Sequence, residues 1–308
     1  MINKLRLIIL TGILILFAVP VVYSSDIDKK VDSLFVIASS GEIRYRDMVQ
    51  PAIDSIAAMG EKAVPRMIEK YDTQDARERH TVSKILEKIG SQAVPYLLEA
   101  LTVDDMEKVS RICYTLGNIK DSSAVEGIIG VCNSDDWRVR SSAIGALGKI
   151  GDSRADETVV LSLTDSVETV RKSAAVASGR LMIEDAIPAL VHMLGDSFYG
   201  ARMTASESLV KMGEKAIESL ADSLYSDNLM VGNLGCTTLG NIGGIAAAYA
   251  IAPQLESESS VRRTMAVEGI YLSNSSLACG FVELMAESET DPTVRFFIEQ
   301  VLEKYASR

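Results

Sequence analysis

At 308 residues, 47% apolar and 24% charged, the chain reads as globular rather than disordered, and its 6% aromatic content suits thin repeated layers better than one thick core. It carries 31 basic and 42 acidic residues, a net charge of −11; such a surface repels phosphate backbones and anionic lipid, so nucleic acid is not an expected partner. Its four cysteines form no CxxC pair and no cluster with its two histidines, His80 and His192, so no zinc or other metal site is expected.

Residues 1–25 are a separate object. Lys4 and Arg6 precede an apolar run from Leu7 to Val22 broken by Pro20, and Val22 and Ser24 are small enough for the −3 and −1 positions of a cleavage site. This is the layout of a secretory signal peptide cut near Ser24 or Ser25. The run is short for a membrane span, which needs about 20 residues. An exported protein, periplasmic or extracellular, is expected, with membrane contact only where the segment stays uncleaved. Loss of Lys4 and Arg6 leaves 29 basic against 42 acidic residues, a net charge of −13. Residues 26–308 show no internal linker and read as one domain.

That domain repeats. The phrase LGKIGDSRA at 147–155 stands earlier as LGNIKDSSA at 116–124 and later as LGNIGGIAA at 239–247. With its glycine as a mark, equivalent positions fall at Gly60, Gly90, Lys120, Gly151, Met182, Gly213, Gly243 and Asn274, in steps of 30 or 31 residues. A constant period of this size belongs to a solenoid. Four residues before the marks stand mostly large apolar residues (Leu86, Leu116, Leu147, Leu209, Leu239), and eight before stand mostly small ones (Ala52, Ala143, Ala174, Ala205, Ala266). That spacing puts both rows on one face of a helix. After each mark a second helix is predicted. Pro65, Pro95 and Pro188 lie in its first turn, where a missing N–H costs least. Each unit is therefore two antiparallel helices around a turn that needs left-handed backbone and then an N-cap. About eight units are expected. A helix over 28–39 closes one end and a helix from Asp291-Pro292 to about Tyr305 closes the other, because single pairs cannot bury their apolar stripes while stacked pairs can.

The run DDWRVRSSAIGALGKIGDSRA at 135–155 resembles the short HEAT repeat of phycobilisome-lyase-like HEAT proteins, and the resemblance extends over about residues 43–290. It implies an all-α fold, a right-handed α–α superhelix used mostly to hold other proteins. Relatives that hydroxylate a protein side chain carry His-Glu pairs holding two irons. Here Thr81 follows His80 and Met193 follows His192, so that chemistry has no ligands and no cofactor is expected. Lyase activity is the family's other enzymatic association, and an exported chain would not meet cytoplasmic phycobiliproteins. The expectation is an exported, non-enzymatic scaffold for a protein partner. The alternatives are a lyase or oxidoreductase of the same family and a membrane-anchored envelope assembly factor.

Four sets of residues stand out. Arg140, Arg171, Arg202 and Arg263 each lie eleven residues before a mark, and Asp135, Asp165, Asp196 and Asp227 fall at turns between units. A basic strip for an acidic ligand would explain the row. So would a structural ladder tying each helix to a turn aspartate or carbonyl, and the resemblance implies the ladder. Cys113 and Cys132 are expected at the same height of one hairpin, either as a disulfide or as buried thiols acting as small hydrophobes. On the second helices Tyr96, Val131, Leu161, His192 and Met193 mark a strip expected to line the concave face, uncharged in the third to fifth units. It reads as a docking groove or as short side chains demanded by curvature. Last, Met106, Trp137, Tyr199 and Leu229 lie fourteen residues before their marks, with Phe198 beside Tyr199. Large aromatics on turns are interface anchors or packing over the neighbouring turn.

Overall fold

The computed structural model describes residues 25–306; the expected signal segment, apart from Ser25, lies outside them. Among the described residues the chain is all α-helix and short 3-10 segments, with no strand and no helix long and apolar enough to cross a membrane. Helix α1 (Asp26–Ala38) starts from a capping box, in which Ser25 Oγ accepts from the Asp28 N–H and Asp28 accepts from the Ser25 N–H. It buries Val31 and Phe35. Eight hairpins follow, each a first and a second helix. They are α2 (Val49–Ala57) with α3 (Val64–Glu69), α4 (Ala76–Ile89) with α5 (Val94–Glu99), α6 (Met106–Ile119) with α7 (Val125–Ile129), and α8 (Trp137–Ile150) with α9 (Asp156–Ser162). Next come α10 (Glu168–Leu181) with α11 (Ile187–His192), α12 (Tyr199–Met212) with α13 (Ile217–Ser223), α14 (Leu229–Ile242) with α15 (Gly244–Ile251), and α16 (Ser260–Ser273) with α17 (Cys279–Ala286). Helix α18 (Pro292–Ala306) covers the far end, burying Val294, Ile298 and Val301 against α16 and α17.

Every hairpin turns at its mark. All eight marks have positive φ, including the three that are not glycine: Lys120 (59°), Met182 (58°) and Asn274 (55°). These three and Gly151 are left-handed α. Gly90 (φ 73°, ψ −141°) and Gly213 (φ 62°, ψ −132°) lie where a side chain would clash, so glycine is required there. Asp121 and Asp152 then cap the following 3-10 turns, accepting from the Ser123 and Arg154 N–H groups.

The core is continuous because each first helix lies on the next. Three residues before the mark stand Gly117, Gly148, Gly179 and Gly240. A Cβ on them would lie 2.7 Å from Ala146 Cα, 2.8 Å from Ala177 Cα, 2.8 Å from Ser208 Cβ and 2.6 Å from the Gly269 carbonyl oxygen, respectively. Such approaches do not occur, so these four seams exist only because the side chain is absent. Where Ala57, Glu87, Val210 or Tyr271 takes the position, the first helices meet more sparsely. Two of these wider seams are bridged by buried hydroxyls. Tyr71 Oη lies 2.9 Å from Ser83 Oγ and 2.5 Å from Thr115 Oγ1 between α4 and α6, and Ser206 Oγ lies 2.7 Å from Thr238 Oγ1 between α12 and α14. Burial pushes the Tyr71 phenol up to about 12.

Candidate functional site

The arginine row works in two directions. Nη1 of each arginine donates to two carbonyls of the turn before its own helix: Arg140 to Ser134 and Asp135, Arg171 to Asp165 and Ser166, Arg202 to Asp196 and Ser197, Arg263 to Ser257 and Glu258. The lengths are 2.7–2.8 Å to the first carbonyl and 3.0–3.2 Å to the second. Nε and Nη2 reach forward to a carboxylate of the next turn. Arg140 meets Asp165 at 2.8 and 2.9 Å, Arg171 meets Asp196 at 2.7 and 2.9 Å, and Arg263 meets Glu289 at 2.7 and 3.0 Å. These are bidentate, charge-assisted pairs. Arg263 holds the Glu289 carboxyl down to about 2, and Arg171 holds Asp196 below the usual carboxylate range. At Asp165 burial pushes upward, and the hydrogen bonds from Arg140 and the Val167 N–H outweigh it.

Two of the expected ladder aspartates stand outside it. Asp135 contributes only its carbonyl, and Asp227 is exposed and meets no arginine. Register is the reason. Asp165 and Asp196 lie three residues before the next first helix, whereas Asp135 and Asp227 lie two before theirs. The ladder position in those turns is Ser134 or Ser226. Their hydroxyls accept the N–H two residues ahead at 3.3 and 3.2 Å, as Asp165 and Asp196 accept the Val167 and Phe198 N–H groups at 2.8 Å.

All four cysteines are buried free thiols, so Cys113 and Cys132 take the second of their two expected roles. Burial pushes both thiols up to about 12. On the second helices Leu161 is 69% exposed and His192 is exposed, while Tyr96 and Val131 are half-buried against the core. Met193 is buried, against expectation. Helix α11 ends at His192, and the tighter 3-10 turn Met193–Gly195 swings the thioether inward.

The turn edge is open. Trp137 is 43% exposed, Tyr199 65% and Leu229 48%, with Phe198 also in solvent; Met106 alone is half-buried, its sulfur 3.8 Å from Ser134 Oγ. Tyr225 and Met230 extend this edge around the turn between α13 and α14. Reading by repeat position missed them, because they flank the turn where the step shortens from 31 to 30 residues. A second feature missed in sequence is a groove of about 780 Å³ near the C-terminal end, where Tyr249 and Phe281 meet edge to face at 5.2 Å beside the exposed Leu284. Its signal was present: both aromatics lie six or seven residues past a mark on second helices, Tyr249 exposed and Phe281 half-buried against the core. Among the described residues no group of three or more His, Cys, Asp or Glu side chains is placed to hold a metal ion.

Stacked hairpins, a continuous one-dimensional core and an arginine–carboxylate ladder define an α-solenoid of the HEAT-like class. Residues 110–180 match the family model described as HEAT repeats, and the chain is a HEAT-repeat protein. Among solved structures it is similar to YibA of Escherichia coli, with 14% identity over 87% of this chain and 98% of that one, at a TM-score of 0.51. It is also similar to human deoxyhypusine hydroxylase, with 21% identity over 80% and 97% of the two chains at a TM-score of 0.37. A third is the complex of CpcE and CpcF of phycocyanin lyase from Nostoc sp. PCC7120, with 21% identity over 48% and 98% at a TM-score of 0.45. Identities this low speak for fold alone. No curated protein matches the chain in sequence.

Proposed function

We propose that this chain is a non-enzymatic scaffold that holds another protein against its turn edge. One observation carries the reading. Large apolar side chains that a solenoid core does not need, Trp137, Phe198, Tyr199 and Leu229, stand in solvent on one edge, at the turns before α8, α12 and α14. Exposed aromatics in a row are costly to keep in water unless a partner covers them. The Arg140–Asp165 and Arg171–Asp196 rungs tie the turn of Trp137 to that of Tyr199, so recognition is by shape and involves no covalent step. The signal-like layout of residues 1–25 supports work outside the cytoplasm.

Cross-linking in intact cells, followed by mass spectrometry, tests both parts. The wild type is expected to bring down one abundant envelope protein, and Trp137→Ala with Tyr199→Ala is expected to lose it while melting within about 2 °C of wild type, since surface substitutions stay within about 0.5 kcal/mol. Equal recovery by the double variant removes the edge from the reading. Recovery of the chain alone with a bound chromophore or small molecule favours the enzymatic alternative. A mature mass that still includes residues 1–25 overturns cleavage.

A further inference from the structure

Arg202 has half of its hydrogen-bonding fork open. Its Nη1 donates to the Asp196 and Ser197 carbonyls at 2.7 and 3.2 Å, the same seat that Arg140, Arg171 and Arg263 occupy. In those three, Nε and Nη2 grip a carboxylate 25 or 26 residues ahead. Among the described residues no acceptor meets Nε or Nη2 of Arg202. Asp227 lies at the right sequence distance, but Ser226 holds its place in the turn, and the Ser226 carbonyl is already taken by Arg262 Nη2 at 2.7 Å.

The position eleven before the mark is Val109 in the third unit and Gly232 in the seventh, and the matching ladder positions ahead are Ser134 and Ser257. An acid stands ahead of Arg140, Arg171 and Arg263; ahead of Arg79, which also lies eleven before its mark, stands Val103, and ahead of Arg202 stands Ser226. The open fork also sits in the apolar part of the edge. The Arg202 guanidinium lies 5.5 Å from the Tyr199 ring centre, which fixes its plane. Exposed Tyr225 directly precedes Ser226, and exposed Leu229 opens the next helix.

We infer that Arg202 is a receptor for the carboxylate of an Asp or Glu side chain on a partner protein, flanked in that partner by apolar residues that cover Tyr199, Tyr225 and Leu229. The partner supplies the rung that the chain omits. Two coplanar donors spaced for a carboxylate, with an aromatic face beside them, fit that group better than a neutral amide, which offers one oxygen and no charge and turns its own NH2 donor toward the second N–H. The inference rests on the protein-binding reading and names the chemistry at one point of its surface.

The test uses the full mature chain labelled with 15N and follows the arginine Nε–Hε resonance that Arg202→Lys removes. The probes are the peptides acetyl-Ala-Leu-Glu-Phe-Ala-amide, the same with Gln for Glu, and acetyl-Ala-Leu-Phe with a free C-terminus. The Glu peptide is expected to shift the resonance saturably, and the Gln peptide to bind at least about tenfold more weakly. Ser226→Asp supplies the missing acid internally and is expected to abolish the shift while keeping the fold. Ser257→Asp, with the same charge at an equivalent turn, is expected to leave it intact. Equal response to Glu and Gln, no response at all, or an undiminished shift in Ser226→Asp overturns the assignment; response to the free C-terminus alone overturns its side-chain form. If Ser226→Asp still captures the cross-linked partner that the Trp137/Tyr199 variant loses, only the role of Arg202 fails and the scaffold reading stands.

Discussion

Where α8 lies on α10, Gly148 lets two helix backbones come within reach of each other; where α12 lies on α14, Val210 stands at the same repeat position and holds them apart. The first kind of seam closes by removing a side chain. Two seams of the second kind carry buried hydroxyls, Ser206 with Thr238 here and Tyr71 with Ser83 and Thr115 between α4 and α6. One position per unit therefore sets how closely successive units stack. The ladder does not follow seam width: complete rungs run from α8 to α10, from α10 to α12 and from α16 to α18, and the rung is missing at the α12–α14 seam. The stack is therefore not a uniform rod.

The comparison breaks most severely if a tight seam is forced open. Gly148→Val places a side chain against Ala177, whose Cβ and Cα would lie 2.7 and 2.8 Å from the new Cβ. It is expected to cost about 3 kcal/mol in urea unfolding, the upper range for overpacking. A cost below about 1 kcal/mol would mean that the seams are adjustable and the distinction false. Tyr71→Phe attacks a wide seam, leaving Ser83 and Thr115 to each other at 3.1 Å. A loss of about 1–2 kcal/mol is expected, and none if water replaces the phenol. Ser226→Asp should sharpen the contrast from the other side, stabilising the chain by about 1 kcal/mol by completing the Arg202 rung.

The smallest effect is one of pH. The Glu289 carboxyl has an ordinary value of 4.5 and is held at about 2 by Arg263 in the folded chain. A lowered carboxyl contributes stability above its unfolded value and loses it as pH falls towards the folded one. The stability difference between wild type and Glu289→Gln should therefore be full above about pH 5 and shrink between pH 4.5 and pH 2. A difference that stays constant over that range would show that the pair contributes through shape and not charge.

Much of this was legible in the chain itself. The marks located the turns because positive φ is a local demand, and all eight carry it, even at Lys120, Met182 and Asn274. Both capping helices were legible, the first expected over 28–39 and found at Asp26–Ala38, the second from Asp291-Pro292. The candidate surface was less so. Trp137 and Tyr199 announced themselves as aromatics at turn positions, but Met193 was misread because a 3-10 turn changes the rotation that an ideal helix would give. Asp135 and Asp227 were misplaced because counting back from one mark hides a single residue of slippage in the turn ahead.

By itself the sequence determined the all-α class, the period, the helix pairs and their corners, since each depends on contacts within about 30 residues and on side-chain size, φ preference and spacing. The tertiary structure alone decided which seams are close, which cysteines stay thiols, and which arginines are left with donors to spare. Those outcomes depend on where one unit's turn falls against the next unit's helix, and a shift of one residue there exchanges a carboxylate for a hydroxyl without altering the repeat that encodes the fold.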